Sequence, residues 1–261
     1  MSSPFASLGD ECRISGHTNA LSDEVRSDGG GAVNILQIHG QHMLFDLPGM
    51  VNSPTSKEFL SLVHQMVDRI VNTVIDIRRV MDWAEGRPEI DRNRIALAGF
   101  SFSAIVASVA LANEPRINAG VLVMGGANLH DAFATCDGIP GRIRNAATNR
   151  FKWSVDQFRN KIKVPLSRID PVRFAGKVDP RRLLIIEAGK DACLPASGRQ
   201  RFWEAMGRPE RIVYQYDHRI SFLAMTFLGG GNLQQEAFLF LKRVFNLGAT
   251  SKVVLSRRPR H

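Results

Sequence analysis

Short, continuous apolar runs alternate along the chain with longer segments whose apolar residues recur every three or four positions. The runs are typical of parallel strands covered on both faces, and the longer segments are typical of amphipathic helices. We predict strands at 33–38, 94–99, 119–124, 182–189 and 211–216. Their alternation with helices predicts an α/β fold, with a mostly parallel sheet that carries helices on both faces.

The strongest helical pattern covers residues 56–85. Leu, Val, Ile and Met recur there at three- and four-residue steps, and Ser56 is the expected N-cap. Weaker patterns predict helices at 103–113, 202–206 and 233–247.

Three parts of the chain depart from this alternation. Residues 1–32 contain few large apolar side chains, so we expect a flexible N-terminal segment. Residues 33–261 are expected to form one domain of a length usual for an α/β fold. Within it, 129–178 lacks strand patterns and predicts a helical cap inserted above the sheet, and 251–261 forms a basic tail.

The charge of the chain is concentrated in the predicted cap. The formal net charge is +9, from 34 basic and 25 acidic residues. No nucleic-acid motif accompanies the cap's basic residues, so we interpret them as a solvated basic face and expect no nucleic-acid partner. Binding of anions or nucleic acid stays the alternative. The residues are Arg142, Arg144, Arg150, Lys152, Arg159, Lys161, Lys163 and Arg168.

The cysteines and the apolar runs bear on the compartment. Cys12, Cys136 and Cys193 are an odd set without metal-like spacing, so we expect free thiols, no metal and a reducing compartment. No run reaches the 18 or so apolar residues of a membrane span, and the first residues lack a secretory signal. The expectation is a cytoplasmic protein without a membrane span, whose oligomeric state stays open.

The clearest chemical motif is Gly99-Phe100-Ser101-Phe102-Ser103, between a predicted strand and a predicted helix. A nucleophile elbow needs this order, because small residues two positions before and after the serine let strand and helix approach closely. Ser101 is the candidate nucleophile, and the Phe102 N–H is the expected first oxyanion donor. An ordinary serine at a strand–helix turn is the alternative.

Two further candidates follow later strands. Asp191 comes two residues after the strand 182–189, and His218 comes directly after the strand 211–216. The carboxyl ends of parallel strands share one edge of a sheet, and the order Ser, Asp, His is that of a hydrolase triad on such a sheet. Asp131, which follows the strand after the elbow, is the alternative acid.

His39 and Gly40 follow the first predicted strand. They are candidates for lining the site and for a second oxyanion donor near Gly40. They could instead end a later strand of the fold, and this alternative stays open.

These motifs resemble the α/β-hydrolase superfamily, with the dienelactone-hydrolase and acetyl-esterase-like branches most similar. The resemblance implies the triad roles for Ser101, Asp191 and His218, and a cofactor-free hydrolase acting on an ester or related acyl bond. Ser103 stands where the family usually has a second glycine. Only one strand, 33–38, is predicted ahead of the strand that leads into the elbow. This leaves open whether N-terminal strands of that fold are missing. The matching segments are 87–95 leading into 99–103, Asp170-Pro171 ahead of 183–191, and His218.

The resulting hypothesis is a carboxylesterase-like serine hydrolase with a small-molecule ester as its substrate, whose identity the sequence leaves open. The alternative is a hydrolase-like protein of weak or absent activity that serves in binding.

Overall fold

The computed structural model describes residues 46–217 and 231–247, together with Leu36 and Ile38. Leu36 and Ile38 do not lie in a strand, and the rest of the predicted strand 33–38 lies outside the described residues. The predicted N-terminal segment 1–32 and basic tail 251–261 lie outside them as well.

The chain divides into two compact units. The larger unit spans 39–223 and holds the sheet and the predicted cap. The smaller unit combines 1–38 with 224–261, and its described part centres on the helix Gly231–Val244.

Four parallel strands form the described sheet, in the order β1-β2-β3-β4. Every residue of β2 and β3 is buried, whereas β1 and β4, at the edges of this described sheet, are partly exposed. This burial explains the continuous apolar runs of the two central strands. The strands are β1 Ala96–Phe100, β2 Ala119–Val123, β3 Leu183–Ala188 and β4 Glu210–Tyr214.

Helices connect the strands. The helices α1 Leu47–Asn52 and α2 Ser56–Glu85 precede β1, and α3 Phe102–Asn113 joins β1 to β2. Between β2 and β3 lie α4 Leu129–Thr135, α5 Ile139–Phe151 and α6 Val155–Leu166, with short 3-10 turns at Pro171–Phe174 and Pro180–Arg182. The helix α7 Ala196–Ala205 joins β3 to β4, and α8 Gly231–Val244 follows.

The long helix α2 confirms the strongest sequence pattern. Its buried residues recur at three- and four-residue steps and pack into the core. The N-cap is Thr55, whose hydroxyl accepts a hydrogen bond from the N–H of Glu58 at 3.2 Å, so the expected cap at Ser56 is wrong by one residue. Gly86 ends the helix.

The segment 129–178 contains helices and turns and no strand. Aromatic rings of α5, α6 and their junction pack against Phe59 of α2 and so seat this segment on the long helix. The rings of Phe151, Trp153 and Phe158 lie 6.0, 6.0 and 6.1 Å from that of Phe59. Within the described parts of the chain, no helix combines the length and apolar character that crossing a membrane requires.

Candidate functional site

A sharp turn at Ser101 joins the end of β1 to the start of α3. Ser101 has φ 54° and ψ −120°, and backbone conformations of this kind cost a non-glycine residue about 1–3 kcal/mol. The Ser101 N–H donates to the carbonyl oxygen of Val123 at 2.7 Å, which ties the turn to the end of β2. Strained residues of this kind persist where the surrounding structure holds them, and they concentrate at functional sites.

The approach of strand and helix at this turn leaves no room for a side chain at position 99. A Cβ built on Gly99 would lie 2.4 Å from the backbone oxygen of Ser103. Glycine is therefore a steric requirement here. Ser103, where the resembled family usually has a glycine, is exposed, so its own side chain has room.

Phe102 is the first residue of α3 and directly follows the candidate nucleophile. The N-terminus of this helix of 12 residues lies beside Ser101. N–H groups and the dipole at a helix N-terminus favour developing negative charge, which suits the predicted oxyanion donor.

Asp191 lies in the loop that follows β3, which we call the acid loop and define as residues 189–194. The Asp191 residue is 7% exposed. Its Oδ1 accepts hydrogen bonds from the N–H groups of Cys193 at 2.8 Å and Leu194 at 3.0 Å. These bonds fix the side chain relative to its own loop.

Backbone hydrogen bonds join the loops along the carboxyl edge of the sheet. The N–H of Met124, just after β2, donates to the carbonyl of Ile186 on β3 at 2.7 Å. The N–H of Gly189 donates to the carbonyl of Tyr214 at 2.6 Å, and that of Lys190 to Tyr216 at 3.1 Å. The elbow and the acid loop are thereby brought to the same edge, with the end of β2 between them.

Three predicted site residues are His218, His39 and Gly40, and all lie outside the described residues. The strand β4 that precedes His218 ends at Tyr214, at the same edge of the sheet. Their roles stay predictions.

Asp131, the alternative acid, lies in the first turn of α4. One of its carboxylate oxygens lies 3.0 Å from Nε of Arg159, and the other lies 3.7 Å from Nε2 of His130. The ion pair with Arg159 joins α4 to α6, which indicates a structural role for this carboxylate.

The expectation of free thiols is wrong for two of the three cysteines. Cys136 and Cys193 form a disulfide across a sequence separation of 57 residues. The fold brings the C-terminus of α4 to the acid loop, a proximity that cysteine spacing does not reveal. Because disulfides persist mainly in oxidising compartments, the cysteines do not favour a reducing, cytoplasmic location.

Four of the eight basic residues named for the cap form side-chain hydrogen bonds or ion pairs within the protein. Arg144 donates to the carbonyl of Ala134 at 2.8 Å, and Arg150 donates to that of Ser53 at 2.7 Å. Nη1 of Arg168 lies 2.9 Å from Oδ1 of Asp68, and Arg159 pairs with Asp131 and Asp156. These four arginines brace the cap from within, and the absence of a nucleic-acid partner stays a prediction.

Asp170 connects the start of the cap to its later part. Its Oδ2 accepts from the N–H of Leu129 at 2.9 Å, and its Oδ1 accepts from that of Val172 at 3.1 Å. Burial raises the pKa of the Asp170 carboxyl, and these hydrogen bonds act in the opposite direction.

A buried charge cluster that was not predicted from the sequence lies beneath the acid loop. Glu187, on β3, is 0% exposed, and its Oε2 lies 2.7 Å from Nη2 of Arg211 and 3.5 Å from Nε of Arg199. The available signal was a carboxylate within an otherwise apolar strand, since such a residue is buried only with a partner. Across the described parts of the chain, no group of His, Cys, Asp and Glu gathers as a metal site would need.

Comparisons with known proteins identify the fold. No family model and no curated protein matches the sequence. The acetyl xylan esterase 1 of Thermoanaerobacterium sp. JW/SL YS485 has a similar structure, with a TM-score of 0.52 and 18% identity over 83% of this chain. The acylaminoacyl peptidase of Pyrococcus horikoshii has a TM-score of 0.51 and 17% identity over 70% of this chain.

The matches cover only part of those structures. This chain spans 61% of the esterase and 29% of the peptidase. The structural likeness confirms the α/β-hydrolase fold that the motifs predict, and the chain is a protein of that fold.

Proposed function

We propose that this protein is a serine hydrolase that cleaves an ester or related acyl bond through Ser101, His218 and Asp191. The observation that carries the proposal is the conformation of Ser101. A strained, non-glycine turn between a parallel strand and a helix, with glycine required at position 99, is the geometry of a nucleophile elbow.

In the proposed mechanism, His218 accepts the hydroxyl proton as Ser101 Oγ attacks the substrate carbonyl carbon. The carbonyl oxygen becomes an oxyanion that the Phe102 N–H stabilises, together with a backbone N–H near Gly40. The intermediate collapses to an acyl-enzyme, and the leaving alkoxide takes the proton from His218. Water, deprotonated by the same histidine, then attacks the acyl carbon. The bond from that carbon to Ser101 Oγ breaks, Oγ takes the proton back from His218, and the acid is released. Asp191 holds the imidazole tautomer and stabilises the imidazolium.

The acid loop supports the role of Asp191. A triad aspartate has to hold one orientation, and Asp191 is buried with its Oδ1 bound by two backbone N–H groups. The ion pair of Asp131 with Arg159 makes that residue the weaker candidate. The name of one structural neighbour, an acetyl xylan esterase, suggests an ester as the first substrate to try.

A fluorophosphonate probe and p-nitrophenyl acetate test the proposal on the full chain. We expect the probe to label the protein once, at Ser101, and Ser101→Ala to abolish labelling. Esterase turnover should fall by up to about a million-fold, the loss measured for a triad serine elsewhere. Ser103→Ala, which changes an exposed hydroxyl in the same turn, is the matched control and should retain both labelling and turnover.

Labelling or turnover that survives unchanged in Ser101→Ala contradicts the assignment. A folded wild-type protein that neither reacts with the probe nor hydrolyses esters would favour the alternative of a hydrolase-like binding protein.

A further inference from the structure

The acid loop rests on one buried arginine. Arg199, in the first half of α7, is 8% exposed. Its Nη1 donates to the carbonyl oxygens of Leu194 and, at 3.3 Å, of Asp191 itself. Its Nη2 donates to the carbonyl of Gly189 at 3.1 Å. One planar guanidinium thus holds the beginning, middle and end of the loop.

The charge of this guanidinium is compensated from the sheet. Nε of Arg199 lies 3.5 Å from Oε2 of the fully buried Glu187 on β3. Arg211 of β4 pairs with the same oxygen at 2.7 Å, and its guanidinium lies 5.4 Å from the ring centroid of Trp203. Glu187, on the strand that precedes the acid loop, therefore balances the charge of Arg199 as an ion pair, without a hydrogen bond to its Nε.

The helix α7, which carries Arg199, is itself bonded to the loop that follows β2. The N–H of Ala127, between β2 and α4, donates to the carbonyl of Gly198 at 3.2 Å. A Cβ on Gly198 would lie 2.9 Å from the oxygen of Ala127, so the two backbones are in close contact. The guanidinium has a rigid base on one side and the acid loop on the other.

Stability alone is a poor explanation for this cluster. A buried ion pair is often no more stabilising than apolar side chains of the same size, because both charges lose their hydration. The cluster instead fixes an orientation. The planar guanidinium of Arg199 can donate to all three carbonyl oxygens of the acid loop in only one orientation.

We propose that Arg199, oriented by Glu187, is a positioning residue that sets the orientation of Asp191 in the triad. This inference rests on the proposed function. Arg199 contacts the backbone of the acid loop and acts on the reaction only through Asp191. Its loss therefore lowers turnover by displacing a carboxylate that has to meet His218 in one geometry.

A double-mutant cycle on the full chain tests this role. Turnover of p-nitrophenyl acetate is measured for the wild type, Arg199→Met, Asp191→Asn and the double variant, per folded molecule as judged by circular dichroism. We expect Arg199→Met to lower kcat on the order of a hundred-fold, with little change in KM. In the Asp191→Asn background the same change should cost about twofold or less.

Two further variants complete the design. Arg201→Met, on an exposed position of the same helix, is the control and should keep wild-type turnover. Arg199→Lys keeps the charge beside Glu187 but lacks the fork, so it should lose less than Arg199→Met, again only when Asp191 is present. If Arg199→Met does not fold, Arg199→Lys takes its place in the double-mutant cycle.

The outcomes are distinct. Equal losses with and without Asp191, or no loss at all, overturn the positioning role and leave Arg199 as a structural support. Failure of the proposed function is seen separately, as a wild type that the fluorophosphonate probe does not label, or as full turnover in Asp191→Asn. Either result removes this inference as well.

Discussion

At the scale of single residues, the turn at position 101 is where local preference and tertiary structure disagree most. Serine avoids positive φ, yet Ser101 is held there by its bond to Val123 and by the close contact of Gly99 with Ser103. The free energy spent on this conformation places the hydroxyl at the junction of strand and helix. Glycine at 99 is what makes the arrangement sterically possible.

Gly99→Ala adds only one methyl group, yet we expect it to lower the reactivity of Ser101 strongly. The added methyl would meet the Ser103 backbone oxygen, so β1 and α3 have to separate and the turn has to relax. Fluorophosphonate labelling should slow at least about a hundred-fold, in keeping with the cost of misplacing a reacting group. Labelling at the wild-type rate in a folded Gly99→Ala protein would contradict this account.

Asp191→Asn separates the chemistry of this carboxylate from its structural role. The amide oxygen of asparagine can still accept from Cys193 and Leu194, so the acid loop should keep its conformation. We expect kcat to fall on the order of ten-thousand-fold, because the imidazole loses its orienting carboxylate. Thermal unfolding should change little, and Asp131→Asn should keep most of the turnover.

At the residue scale, the sequence could predict positions that follow a strand. The structure has Ser101 directly after β1 and Asp191 in the loop after β3, as predicted, and their catalytic roles stay predictions. Arg199 was not found, because nothing in its neighbourhood of small and polar residues shows that its side chain turns inward. Its role depends on carbonyl groups five to ten positions away.

At the scale of elements, the long helix and the four strands of the described sheet were predictable, and the start of the short helix α7 was not. Strong periodicity located α2, and apolar runs located these four strands, whereas Leu36 and Ile38 of the predicted strand 33–38 do not lie in one. The helix α7 begins at Ala196, six residues before the predicted start at 202. Its first turns contain Ser, Gly and Arg, and contacts with the loop after β2 override their weak local preference.

The junction between α2 and the end of α3 depends on one buried carboxylate. Glu114 is 2% exposed, and Nη2 of Arg116 lies 2.6 Å from its Oε2. Arg116 also reaches Asp82, near the end of α2, at 2.7 Å. Hydrogen bonding to Arg116 holds the pKa of Glu114 below its ordinary value of 4.5.

Glu114→Gln should consequently destabilise the protein in a pH-dependent way. A lowered folded-state pKa stabilises the protein above the unfolded value, and this contribution is lost as pH falls through the folded pKa. We expect a loss of about 1–3 kcal/mol at neutral pH, which shrinks as pH falls below 4.5. Urea unfolding across pH measures it.

The control for this experiment is Asp68→Asn, which breaks an exposed ion pair with Arg168. Exposed pairs contribute little, so its stability should follow the wild type at each pH. If the free energies of unfolding of Glu114→Gln and the wild type differed by the same amount down to acid pH, the lowered pKa of Glu114 would not be the cause.

At the scale of the whole molecule, the disulfide could not be predicted from the sequence, because it joins parts of the chain that only the fold brings together. Unfolded, unreduced protein should show one thiol by reaction with a thiol reagent, against three after reduction. Removing the crosslink as Cys136→Ser with Cys193→Ser should cost about 2–4 kcal/mol. Cys12→Ser is the control and should leave thermal unfolding unchanged. Three reactive thiols before reduction would rule the crosslink out.

The bond between Leu129 and Asp170 has a consequence for how such a chain can diversify. The N–H of Leu129, at the start of the cap, lies 2.9 Å from Oδ2 of Asp170, so the 41-residue excursion between them begins and ends at one place. Loop closure depends only weakly on length, so segments of very different size can be exchanged there without disturbing the strands on either side. Selection can thus remodel the cap while the carboxyl edge of the sheet, with the proposed site, stays unchanged.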